Sequence, residues 1–201
     1  ALSAAEGELA QVQGLDREAI EGLVSFSEWA EARKEMERVF EAGVRILPFS
    51  ASQYPARLRM IADPPPLLYI KGEMREEDSR AVAVVGSRSA SDYGIRITCD
   101  LCRGLSSLGF TVISGMARGI DGAAHEAALE AGGRTVAVLG SGVDVVYPPE
   151  HEKLYRRICQ NGAILSELPV GTPPFSFNFP GRNRLISGLS LGVVVVEATE
   201  K

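Results

Sequence analysis

Residues 175–184 read Phe-Ser-Phe-Asn-Phe-Pro-Gly-Arg-Asn-Arg, so three aromatic rings at alternate positions lead into Arg182, Asn183 and Arg184. Bases stack on flat π-faces, phosphates pair with guanidinium groups, and base edges hydrogen-bond to amides. Taken alone, the run reads more readily as the apolar face of an extended segment with solvated arginines, so its surroundings must decide. Three other segments share a pattern. Gly86-Ser87-Arg88 closes one short apolar run, and Ser114-Gly115-Met116-Ala117-Arg118-Gly119-Ile120-Asp121 closes a second. Gly140-Ser141-Gly142 closes a third. Glycine and serine let backbone N–H groups approach an anion closely, and two of the loops add an arginine. Three such loops at one sheet edge predict an anion or phosphate site.

Other chemistries find little support. A dinucleotide cofactor asks for G-x-G-x-x-G after the first strand and an acid after the second. Here Ser87-Arg88-Ser89-Ala90-Ser91 follows Gly86, and the second run ends in Ser114-Gly115. No Gly-Lys-Ser/Thr occurs, so a Walker loop is absent. His125 and His151 are the only histidines, each placed in or at the start of a helical stretch, where packing or helix-start roles suit them better than proton transfer. Cys99 and Cys102 lie mid-helix without a second pair and read as core rather than metal ligands. Glu167 has no nucleophile nearby and fits a structural ion pair. The expectation is a binding protein with no catalytic residue, no metal and no cofactor.

The elements that would position these loops follow from hydrophobic patterning. Runs at 81–85, 110–113, 135–139, 163–165 and 193–196 are strand-length and rich in β-branched residues. Helical stretches near 92–108, 120–131 and 151–160 separate the first four; no helix is predicted between the fourth and fifth. Strands apolar on both faces, alternating with amphipathic helices, predict an α/β, Rossmann-like, doubly wound, mostly parallel sheet. Ligands of such sheets sit at the carboxyl ends of the strands. Ahead of it, residues 1–43 read as a small helical unit, similar to a SAM or helix-hairpin-helix module. It has helices over 3–12 and 17–24, and a third reaching Ala42, with Trp29, Ala32, Met36, Val39 and Phe40 along one stripe. The second domain spans 44–201, opening with short strands at 44–47 and 67–70 and a brief helix near 54–61.

Composition sets the remaining bounds. The net charge is −5, but residues 1–80 hold 15 acidic and 10 basic side chains, and residues 81–201 hold 11 of each. The acid excess therefore lies wholly in the first part, leaving room for a local basic groove in the second. No apolar run approaches the ~18 residues of a membrane span. The first residues lack the basic and apolar regions of a signal peptide, and the missing initiator Met suggests numbering that starts inside a longer chain. Three cysteines, an odd number, suit a reducing cytoplasm.

Together the motifs resemble the DNA-processing protein A (DprA, or Smf) family. Gly86-Ser87-Arg88, the 114–121 loop with Ala124-His125, Gly142-Val143-Asp144-Val145-Val146-Tyr147-Pro148 and Phe179 to Gly188 occur in that order. The likeness covers roughly residues 50–200. It implies a bacterial cytoplasmic protein that binds single-stranded DNA without cleaving it, protects incoming DNA in natural transformation, loads the RecA recombinase and works as a homodimer. Carried onto this chain, Gly86, Ser87 and Arg88 would take backbone phosphates, with Gly115, Arg118, Gly119, Gly140 and Ser141 lining the same site. Phe179 would stack a base, and Arg182, Asn183 and Arg184 would hold phosphate or buttress the loop. Asp121, His125, Asp144 and Tyr147 would shape the loops. Read from the residues alone, Glu167 also has a structural, loop-shaping role, and Phe175 and Phe177, which the motif does not need, return to the core. The enzymatic alternative resembles phosphoribohydrolases of the wider Rossmann-like group. Their Pro-Gly-Gly-x-Gly-Thr loop meets arginines here, at Pro180-Gly181-Arg182-Asn183-Arg184.

Overall fold

Residues 4–198 are described by a computed structural model, and the chain divides into two compact units between Arg38 and Val39. The first unit holds α1 (Glu6–Leu9) and α2 (Arg17–Val24). The Asp16 carboxylate caps α2 by accepting the Ala19 amide at 2.8 Å. A third helix, α3 (Trp29–Glu41), spans the division. Its predicted apolar stripe is not a buried face: Trp29, Met36 and Phe40 are 49%, 55% and 86% exposed. Val39 alone is buried, in a cluster with Val44, Tyr69 and Ile158. Helical spacing fixes which residues share a face, but not whether anything covers it.

The second unit is built on one seven-stranded sheet in the order β1-β2-β6-β5-β4-β3-β7. The strands are β1 (Arg45–Pro48), β2 (Leu67–Gly72), β3 (Ala81–Gly86), β4 (Thr111–Ser114), β5 (Thr135–Val138), β6 (Gly162–Ser166) and β7 (Gly192–Val196). From β6 through β7 every pairing is parallel, while β1 and β2 add an antiparallel margin. Helices α4 (Asp92–Ser107), α5 (Ile120–Glu130) and α6 (Glu152–Asn161) fall within one residue of their predicted ends.

Side chains alternate between two cores, as the pleat requires. Ala83, Ile113, Val136 and Leu165 point to one face. Val84 and Val112 point to the other against α4 and α5, and Ala137 and Ile164 join α6 there. The first face is covered by a helix the sequence did not suggest, α7 (Asn178–Gly188). Leu185 and Ile186 on α7, with Leu189 just beyond it, are 1%, 3% and 4% exposed, worth roughly 1.5–3 kcal/mol apiece. Pro180 and Gly181 disguise this helix, although proline is tolerated in a first turn, where its missing N–H has no intrahelical partner. The brief helix expected near 54–61 is a single tight turn at Leu58–Met60. On the edge strand β7, Val193 and Val195 remain 46% and 61% exposed, so that strand is not covered on both faces as its neighbours are. Among the described residues no helix is long and apolar enough to cross a membrane.

Candidate nucleic-acid interface

Because β3, β4 and β5 are parallel neighbours, the loops after them emerge side by side at one edge of the sheet. The start of α7 closes over the same edge. Two layers can be distinguished there, a buried floor and an exposed rim.

Arg182 is the centre of the floor. It is 5% exposed and donates through Nη1 to the carbonyl oxygens of Gly115, at 2.9 Å, and Val138. A Cβ on Gly115 would lie 2.4 Å from the guanidinium, so glycine is needed there to admit the arginine. At Gly140 a Cβ would meet the Phe179 ring at 2.8 Å. The Asp121 carboxylate, 5% exposed, accepts the amides of Gly115 at 3.1 Å and Ala117 at 3.3 Å. Burial pushes its pKa up; the Arg182 charge and the two amides pull it back. Gly119 adopts a left-handed φ of 71°, and the next amide, of Ile120, reaches the Ser87 carbonyl at 3.2 Å.

His125 is fully buried. The Thr135 hydroxyl donates to the Val112 carbonyl, so it must accept from His125 Nδ1 at 2.6 Å. That assigns the neutral Nδ1–H tautomer and leaves Nε2 buried without a partner. Burial, with His151 and Arg182 adding their charges, pushes the His125 pKa down to about 3. Ser141 is also turned inward, its hydroxyl donating to the Val145 carbonyl at 3.1 Å.

The rim has a different character. Arg88 is exposed, its guanidinium 5.1 Å from the Phe179 ring centroid, and it makes no ion pair among the described residues. Phe179 is half-buried, with Arg182 at 6.0 Å from its centroid and Tyr147 stacked at 5.9 Å. The preceding Asn178 amide holds the Gly140 carbonyl at 3.1 Å. A cavity of about 140 Å³ runs between Arg88, Gly115, Arg118, Gly140, Tyr147 and Phe179. A wider one of about 530 Å³ adjoins it along Gly86, Ser87, Arg88, Phe179, Asn183 and Glu197.

Other residues of the site are already engaged. Arg118 pairs with Glu150. Arg184 pairs with Glu167 at 2.5 Å and Asp63 at 3.2 Å. Asn183 is exposed, its side-chain oxygen accepting from Arg182 Nε at 3.2 Å. Asp144 receives the Gly171 amide at 2.8 Å. Phe175 and Phe177 are not core: they are 48% and 74% exposed and stack on each other with centroids 5.3 Å apart.

Two acids at this edge escaped the sequence reading. Glu150 neutralises Arg118. Glu197 ties down the Arg88 loop, its carboxylate accepting from the Ser91 amide and hydroxyl at 3.0 Å and its carbonyl from the Ser87 amide at 2.9 Å. Glu150 stands in the motif Pro-Pro-Glu-His-Glu, whose acids could have been weighed as partners for a loop arginine. Glu197 gave no local signal. Among the described residues no three His, Cys, Asp or Glu side chains cluster closely enough to hold a metal ion.

A mostly parallel sheet with helices on both faces and glycine- and serine-bearing loops at the carboxyl ends of its strands defines a Rossmann-like α/β domain. Within that class, residues 45–201 match the family model of DNA recombination-mediator protein A, and the chain belongs to that family. It is 39% identical to protein Smf of Synechocystis over 197 residues, 96% of this chain and 50% of that protein. It is 40% identical to the DNA processing protein DprA of Bacillus subtilis, over 80% of this chain and 54% of the relative. The chain thus spans about half the length of these relatives. Its fold superposes on DNA processing protein A of Streptococcus pneumoniae with a TM-score of 0.83 at 36% identity, covering 98% of this chain and 68% of that one. The Helicobacter pylori protein, whose structure concerns a single-stranded DNA binding mode, gives a TM-score of 0.71 at 33% identity, covering 79% and 71%.

Proposed function

We propose that this chain binds single-stranded DNA along the rim, with Arg88, the Ser87 hydroxyl and the amides of Gly86 and Gly119 on phosphates and Phe179 beneath a base. One observation carries the reading: Arg88 has no carboxylate partner among the described residues and is held over a half-buried aromatic ring at the mouth of a cavity. An uncommitted cation beside a π-face suits a phosphate with its attached base. Membership of a recombination-mediator family and the likeness to the H. pylori protein support it. In this reading Arg118, Ser141 and Asn183 line the path, and Arg182 and Arg184 act as buttresses. The protein is a binder rather than an enzyme, and Glu167 is occupied by Arg184. We extend the proposal to the whole protein: a cytoplasmic homodimer that protects incoming single strands during natural transformation and loads RecA onto them.

Fluorescence anisotropy with an oligo-dT and a duplex of equal length, at two salt concentrations, tests the site. The single strand binds preferentially. Phe179→Ala costs about 1–3 kcal/mol of affinity. Arg88→Ala weakens binding and lowers the salt slope by about 0.7, one phosphate contact on a single strand. Unchanged affinity in both variants overturns the assignment.

A further inference from the structure

The opposite, amino edge of the sheet carries a groove that the DNA reading leaves unused. It has a volume of about 780 Å³ and lies between the 52–57 loop, the turn after β2 and the residues leading into β3 and β7. Its apolar lining includes three side chains that remain accessible: Met60, 76% exposed, Leu191, 48% exposed, and the half-buried Met74. Methionine thioethers adapt to varied side chains, which suits them to a docking surface.

Three arginines, Arg57, Arg75 and Arg80, flank the apolar strip. Two carboxylates also line the groove. Asp78 is 4% exposed and fully engaged, accepting from Thr111, the Arg75 amide and the Arg134 guanidinium at 2.8–3.0 Å. Glu76 is exposed on the rim. Arg75 shares its charge with Glu73 at 2.9 Å. Arg80 lies 5.1 Å over the Phe110 ring, and neither Arg57 nor Arg80 makes an ion pair among the described residues. In a chain of net charge −5, two uncommitted guanidinium groups beside exposed methionine and leucine form a local exception.

We propose that this groove docks an acidic peptide segment of a partner protein. One aliphatic or aromatic side chain of the peptide sits on Met60, Met74 and Leu191, and its carboxylates meet Arg57 and Arg80. Guanidinium forks match carboxylates in geometry and charge, whereas a purely apolar ligand would leave both cations unanswered. A nucleic-acid backbone would leave the apolar strip uncovered. Since the groove lies at the edge opposite Arg88 and Phe179, both can be occupied at once.

The test selects a displayed random-peptide library on the immobilised chain, then titrates the enriched peptide, fluorescein-labelled, by anisotropy. Enriched peptides carry at least two Asp or Glu beside a Leu, Ile or Phe. Arg57→Glu and Met60→Asp each weaken binding about tenfold or more, as loss of an anchor does. Both positions are exposed, and unchanged oligo-dT binding and thermal melts show the variants are folded. Absence of enrichment, enriched peptides without acids, indifference to both substitutions, or displacement of the peptide by oligo-dT would each overturn the proposal.

Discussion

Arg182 and Arg88 both approach the ring of Phe179, at 6.0 and 5.1 Å from its centroid, yet belong to different layers of the site. Arg182 lies on the floor, where the Gly115 and Val138 carbonyls claim its donors and Asp121 contributes an opposing charge. Arg88 stands on the rim, with a ring beneath it and no ion pair among the described residues. The difference shows that a guanidinium is free for a ligand only where the fold supplies no competing oxygen. Floor residues should therefore report on stability, and rim residues on binding.

The largest expected effect comes from the floor. Arg182→Met keeps much of the side-chain volume but strips two buried carbonyls of their donor and leaves Asp121 without a compensating charge. Removing one member of such a buried set costs about 3–5 kcal/mol, read as a lowered urea midpoint with an unchanged slope. Full stability with lost DNA binding would instead move Arg182 to the rim and erase the distinction.

Much of this arrangement was legible in the sequence. The runs at 81–85, 110–113, 135–139 and 163–165 announce a sheet buried on both faces, and the glycines and serines after them mark the edge where backbone must lie close to something. The separation of floor from rim was not legible. Arg88 and Arg182 both follow glycine-containing segments, and only α7 turns one of them inward. That helix was obscured because its first turn holds Pro180 and Gly181, and its buried apolar positions, Leu185 and Ile186, are adjacent and show no helical repeat. The Glu197–Ser91 contact joins residues 106 apart in sequence, a distance no local pattern spans. On α3 the opposite failure occurred: the stripe of Trp29, Met36 and Phe40 is visible in the sequence, but the fold leaves it exposed.

A second floor prediction concerns pH. His125 is held neutral when folded, with a pKa near 3 against an ordinary 6.5. Between those values the unfolded chain binds a proton that the folded chain refuses, so stability falls as pH drops from about 6.5 toward 3. Between pH 7.5 and pH 5 the loss is about 2 kcal/mol. Asp121, raised by burial, acts with the opposite sign as it titrates, so the comparison needs His125→Gln alongside the parent. The variant is less stable at pH 7.5, but its decline to pH 5 is shallower by about that amount. Equal declines in the two proteins would show that His125 is not the titrating floor group.

The smallest effect lies on the rim and bears on its one neutralised cation. Arg118 and Glu150 keep 63% and 49% of their side-chain surfaces exposed, and solvent-screened surface pairs of this kind contribute little to stability. Glu150→Gln therefore leaves the melting curve nearly unchanged while releasing the Arg118 charge toward the cavity it shares with Arg88. If Arg118 lies on the path of the strand, oligo-dT affinity rises by less than about tenfold and the salt slope steepens by up to about 0.7, the increment of one added phosphate contact. Pairing this substitution with Arg88→Ala sharpens the comparison, since two rim cations meeting different phosphates should change the slope additively. A slope indifferent to Glu150→Gln would place Arg118 outside the path and confine the rim to Arg88, Phe179 and the amides beside them.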